Sequence, residues 1–297
     1  MSKFILVIAL LGAITMATKH PISMELYNEL LKIKDLPWKP MHPDDNPLSF
    51  IPADEFKKIT GEIPIEEIIP IHIPGQDFNR PDHFDARERW QGCVHPVMNQ
   101  RRCGGCWAFA VSQAVSDRYC IGGKDLILSP QNQIDCDEWN FGCGGGNIYT
   151  ACLHIEEHGL TTNSCQPFIS TEGEDHQCQK SCSNGEKYET HKCKKGSSVI
   201  IEAEDVYKEL HDNGPMAAFI FVHEDFPFYE SGIYVHVFGE PTEAHAVKVI
   251  GWGKQDGMDY WIAQNSWGSS WGEKGFFKIK KGETAFGLYN SACIPEL

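Results

Sequence analysis

Asn99-Gln100-Arg101-Arg102-Cys103-Gly104-Gly105-Cys106-Trp107-Ala108-Phe109-Ala110 changes character at its middle. Turn formers give way after Gly105 to helix-compatible residues, which puts Cys106 at or just before a helix start. A thiol there lies in the positive end of the helix dipole, where thiolate is favoured. Its pKa falls by roughly one to five units when a cationic partner joins. That is the chemistry a nucleophile needs.

Two other uses of the same cysteines compete. Cys103-x-x-Cys106 also fits a redox pair or half of a zinc site. Zinc needs a second ligand pair at matching spacing, but Cys178 and Cys182 are separated by three residues within polar loop sequence. A thioredoxin-like module wants its motif after a strand in a compact βαβ pattern, whereas here a cysteine-rich loop follows the helix.

Further along the chain, a thiol nucleophile needs an imidazole to take the proton and a third group to orient the ring. Of thirteen histidines, His176, His191 and His211 sit in charged loop sequence, but His245 opens Ala244-His245-Ala246-Val247-Lys248-Val249-Ile250-Gly251-Trp252-Gly253, a half-buried strand pattern. The turn signal Lys254-Gln255-Asp256-Gly257 then leads into Tyr260-Trp261-Ile262-Ala263-Gln264-Asn265, so the two runs read as an antiparallel hairpin. Counting back from Lys254 and Gly257 as turn ends sets His245 opposite Asn265 or Ser266, to within a residue. Asn265 is thereby placed to accept the ring N–H, leaving the other nitrogen for the thiol.

The 297 residues suffice for one sizeable domain or two modest ones. Lys3, the apolar run Phe4 to Ala13 and Thr15-Met16-Ala17 read as a signal peptide over residues 1–17, and that run is too short to span a bilayer. All twelve cysteines lie at or after Cys93, which describes a cysteine-free leader followed by an oxidised, cross-linked domain. The leader is rich in proline, and its one helical pattern covers residues 22 to 34, with Ile22, Leu26, Leu30 and Ile33 on a single face. From Pro81 onward 18 basic residues face 30 acidic ones, within a whole-chain charge of -15, so nucleic acid and anionic membranes are poor partners.

These residues resemble the papain family of cysteine proteases, and within it the cathepsin B branch, over about residues 82 to 294. The matching stretches are Phe84 to Arg87, Gln100 to Phe109, Ser129-Pro130-Gln131, Cys143-Gly144-Gly145-Gly146, Asn213-Gly214-Pro215, His245 to Gly253 and Asn265-Ser266-Trp267-Gly268 through Trp271-Gly272. The resemblance implies an α+β, two-lobed fold with a helical left lobe and a β-barrel-like right lobe, roughly residues 81–190 and 191–297 with crossing termini, and the active site between them. It implies Cys106 as nucleophile, His245 as general base and acid, Asn265 as orienter, and Gln100 with the Cys106 N–H as oxyanion hole. Gly145 and Gly146 would pair with an extended substrate, Trp267 would shield the Asn265–His245 bond, and Ala244 and Ser291 would line the substrate cleft.

The same resemblance implies disulfides Cys93–Cys120, Cys103–Cys143, Cys136–Cys178 and Cys165–Cys182. Cys152, Cys193 and Cys293 are left over, with at least one of them free. Residues 18–80 would be an inhibitory propeptide, with Trp38 in a comparable place, removed near Arg80. No cofactor or metal is implied. The expected partners are protein and peptide substrates, the chain's own propeptide, and cystatin-like or epoxide inhibitors, with the enzyme a monomer in lysosome-like vesicles or secreted. Asn-x-Ser/Thr is absent, so glycan-based sorting has no handle.

Departures from the branch bear on specificity. Only a short stretch from Cys165 to Cys178, with the single His176, stands where an occluding loop with a His-His pair is usual. Endopeptidase activity with little dipeptide trimming follows. Gly105 replaces the usual serine, Arg101 the usual glycine, and Ser291 the acidic floor of the P2 pocket, which points to apolar P2 residues. The rivals are a catalytically silent binding relative and a disulfide oxidoreductase using Cys103 and Cys106.

Overall fold

The computed structural model describes residues 20–64, 78–201, 205–282 and 290–297. The signal-peptide reading of residues 1–17 therefore lies outside the described residues, as do 18–19 and 65–77 of the expected propeptide.

The leader begins with α1 (Met24–Leu30), capped by Ser23 accepting from the Leu26 N–H. Its apolar face is the expected one: Ile22 and Leu30 are buried, and Leu26 and Ile33 pack against the same core. The helix is shorter than the pattern suggested. Lys32 and Ile33 switch to i→i−3 hydrogen bonds and Asp35 takes φ +56, so the last turn tightens and unwinds. The strand β1 (Trp38–Pro40) follows, then two short 3₁₀ turns.

After the leader come β2 (Phe84–Asp85) and α2 (Ala86–Arg89), then α3 (Cys106–Ile121), α4 (Pro130–Cys136) and α5 (Ile148–Glu157). The helix α3 is buried on nearly every side, because it lies between the other helices and the sheet. Its polar residues are each paired. Asp117 holds Lys248 Nζ at 2.5 Å and His95 Nδ1 at 2.7 Å, and Arg118 meets Glu209 at 2.8 Å. Ser129 caps α4 and Asn147 caps α5 through side-chain acceptors.

The remaining chain supplies β3 (Val199–Ile201), α6 (Val206–Asn213), β4 (Met216–His223), β5 (Tyr229–Tyr234), β6 (Pro241–Gln255), β7 (Met258–Gln264), β8 (Phe276–Lys280) and β9 (Asn290–Ala292). Strand order is β1-β5-β8-β7-β6-β4-β9-β3, with β2 paired to β6. The sheet is open among the described residues, so its barrel-like half is a curled sheet with two free ends rather than a closed barrel. One core packs beneath it around Phe226, Trp271 and Phe277 and takes in the leader's Leu30, Trp38 and Ile59. A second core surrounds α3 through Phe109, Tyr119 and Ile155, and receives Phe219 and Ala246 from the sheet.

Candidate active site

The helix α3 begins at Cys106, with Gly105 as its N-cap and no side-chain cap bond. The Cys106 Sγ faces β6, where the Ala246 N–H donates to it at 3.4 Å. Next to Ala246, His245 Nε2 lies 2.8 Å from Asn265 Oδ1, so the ring proton sits on Nε2 and Nδ1 is left without a hydrogen-bond partner. Trp267 stacks on His245 with ring centroids 4.7 Å apart. Cys106, His245 and Asn265 are all buried.

The hairpin that brings His245 and Asn265 together has a different register from the one expected. The turn is Asp256-Gly257, both at positive φ, so Gln255 pairs with Met258 and Lys254 with Asp259 rather than Gly257. A bulge between Val249 and Gly251 recovers one residue, and the ladder ends at Lys248 opposite Gln264. Asn265 leaves the ladder, donates its N–H to Gly275 O, and turns its amide onto His245.

Gln100 Nε2 donates to Cys103 O and to Ile59 O, each at 2.8 Å. Its Oε1 accepts from Ser266 Oγ at 2.5 Å, which fixes which end of the amide faces the site. The sequence reading gave Ser266 no role; its place beside Asn265 was the signal available.

The leader crosses this site. The Gly61 N–H donates to Cys106 Sγ at 3.2 Å, Gly146 N–H to Gly61 O at 2.8 Å, Ile63 N–H to Gly146 O at 2.7 Å, and Glu62 N–H to Ala244 O at 3.2 Å. Glu62 and Gly146 thus form a parallel bridge. At Gly145 an added Cβ would lie 2.8 Å from Gly61 O, so a side chain there would obstruct the strand.

Being covered changes the titration expected of a thiol at a helix start. Burial pushes the Cys106 thiol up to about 12; the Ala246 and Gly61 N–H groups oppose this and the Glu62 carboxylate adds to it. Burial likewise lowers His245 to about 4, against the Asn265 hydrogen bond. Beneath the leader the pair is therefore thiol and neutral imidazole, not thiolate and imidazolium.

The structure joins Cys93–Cys120, Cys103–Cys143, Cys136–Cys178 and Cys165–Cys182, and adds Cys193–Cys293. Cys106 and Cys152 remain free. Cys103 is thus bonded away from Cys106, and no group of three or more metal-binding side chains occurs among the described residues. Ser291 is buried, its hydroxyl donating to Val199 O and turned toward Cys152 Sγ. His176 meets Glu174 at 3.6 Å in an otherwise exposed loop.

A model of the papain family of cysteine proteases matches residues 80–296. Cathepsin B-like CP3 of Giardia intestinalis is 38% identical over 205 residues, covering 67% of this chain and 69% of that protein. Cathepsin B-like cysteine proteinase 5 of Caenorhabditis elegans is 35% identical over 258 residues, 73% of this chain and 75% of its own. Among solved structures, procathepsin B S9 from Trypanosoma congolense superposes with a TM-score of 0.85 at 27% identity, covering 94% of this chain and 99% of that one.

Proposed function

The chain belongs to the papain family of cysteine proteases and is cathepsin B-like, and from that premise we propose that it is an endopeptidase held as a zymogen by its own leader. In the uncovered site, Cys106 Sγ passes its proton to His245 Nδ1 and attacks the substrate carbonyl carbon. Asn265 keeps the ring turned by accepting the Nε2–H. The Gln100 amide and the Cys106 backbone N–H, an orphan donor at the helix start, stabilise the oxyanion, each by about 3 kcal/mol. The C–N bond then breaks, and the leaving amine takes the proton from His245. Water, deprotonated by His245, hydrolyses the remaining thioester.

The observation that carries this reading is what the leader presents. Ile59 O occupies the Gln100 donor, and an N–H rather than a carbonyl carbon meets the sulfur. Bound parallel to Gly146, the strand fills the cleft without offering a bond to cut. Uncovering the site moves a proton from sulfur to imidazole with no net uptake from solvent.

The loop from Cys165 to Cys178 supports internal cleavage over dipeptide trimming. Its ends are tied by disulfides, Thr171 O accepts from Arg102 N–H, and Asp175 accepts from Cys143 N–H. His176 is its single histidine. The signal-like start and the five disulfides support passage through the secretory pathway.

Incubating leader-free protein with an epoxide or vinyl-sulfone trap tests the mechanism. We expect stoichiometric labelling of Cys106 with loss of peptide cleavage, and an inactive but folded Cys106→Ala variant. Labelling at Cys103, or cleavage that survives Cys106→Ala, would sink it. Efficient release of dipeptides from blocked peptides would overturn the endopeptidase assignment.

A further inference from the structure

Beside Cys106 the leader inserts a carboxylate, not an apolar side chain. Glu62 is 5% exposed, and its Oε1 accepts from Asn147 Nδ2 at 3.1 Å and from the Ile148 N–H at 3.3 Å. Asn147 is itself 5% exposed, and its Oδ1 is engaged in capping α5 by accepting from the Tyr149 and Thr150 N–H groups. Its amide nitrogen is thereby aimed into the pocket. The first turn of α5 adds the positive end of a ten-residue helix. A buried amide donor, a backbone N–H and a helix dipole together suit an anion.

The position of Glu62 is the one a substrate side chain would take. It is the residue paired with Gly146, and paired residues in either strand direction project to the same face. Resting on the protease reading above, we propose that this pocket receives an acidic side chain at the second substrate position before the scissile bond, and that Asn147 is the residue that selects it. The apolar preference expected from Ser291 is replaced, because that hydroxyl is turned to Val199 O and Cys152 while the polarity of the pocket comes from Asn147.

Three blocked peptides that differ only in glutamate, glutamine or leucine at that position, with leader-free enzyme at neutral pH, test the proposal. A hydrogen bond to a charged partner contributes about 1.5–3 kcal/mol, so kcat/KM for glutamate should exceed that for its uncharged isostere glutamine roughly tenfold or more. Asn147→Asp keeps an acceptor for the α5 cap and replaces the donor with a like charge. It should lower the glutamate-to-leucine ratio of kcat/KM by at least about tenfold. Glutamine cleaved as well as or better than glutamate by the wild-type enzyme overturns the proposal without needing any variant. So does an Asn147→Asp enzyme that loses both activities alike. If no peptide is cut and the thiol trap leaves Cys106 unlabelled, the protease reading falls and this one with it. If leucine is cut and glutamate is not, only the pocket assignment falls.

Discussion

Arg101 holds φ +55 and its side chain is exposed. A Cβ in that region costs about 1–2 kcal/mol, which explains why glycine is the family's usual residue there. Arg101→Gly should raise stability by about 1 kcal/mol, read as a higher urea midpoint of the intact chain. Gly105 has a different cause. A Cβ there would fall 2.8 Å from Ile134 Cδ1, so the space a serine would use is already filled. The sequence identified both departures, but the backbone angle and the neighbouring side chain that explain them depend on tertiary packing. The candidate site residues at this scale were legible because Cys106, His245 and Asn265 each sit in a local pattern. Their titration was not, because it depends on a leader about 45 residues away in sequence. With the Cys106 pKa pushed up to about 12, thiolate in the intact chain is scarce at neutral pH and grows only as pH climbs toward that value. Alkylation of Cys106 by a neutral haloacetamide should therefore be very slow in the intact chain at neutral pH and fast once the leader is removed, with mass spectrometry reporting the adduct.

Among the elements, the leader strand and the β6–β7 hairpin carry the site. The hairpin's existence could be read from alternating apolar residues and an Asp-Gly turn. Its register could not, since the turn closes between Gln255 and Met258 and a bulge then takes back one residue, and no residue type announces where that occurs. In the leader strand, Gly61 runs so close to the loop before Cys106 that an added Cβ would lie 1.9 Å from Gly104 O. Gly61→Ala should unseat the strand while leaving the enzyme itself untouched. Labelling of Cys106 in the uncut chain should rise at least about tenfold, since even one lost hydrogen bond and a clash exceed 1.4 kcal/mol. A labelling rate equal to wild type would show that the leader does not depend on this contact.

Across the whole molecule, the two cores meet at α3, and a buried ion pair between Asp117 and Lys248 fastens that helix to β6. Burial lowers the Lys248 pKa while the Asp117 charge opposes it. Lys248→Met would strand a buried carboxylate with His95 as its remaining side-chain partner, and should cost about 3 kcal/mol, measurable by denaturant titration; Asp117→Asn on that background should recover part of it. The split into a helical half and a sheet half was visible in the order of motifs. That the leader would also join the sheet was not, because the proline-flanked three-residue strand β1 is too short to carry a periodic signal. Its strand β1 pairs with β5 through Trp38 and Gly232, and Trp38 lies against Tyr229 and Tyr234. Removing the leader, as the proposed activation requires, would therefore do more than open a cleft: it would strip β5 of its outer neighbour and leave a row of unpaired backbone groups beside freshly bared aromatic rings. Leader-free protein should therefore be more prone to edge-to-edge aggregation than the intact chain, which light scattering of the two at equal concentration would read.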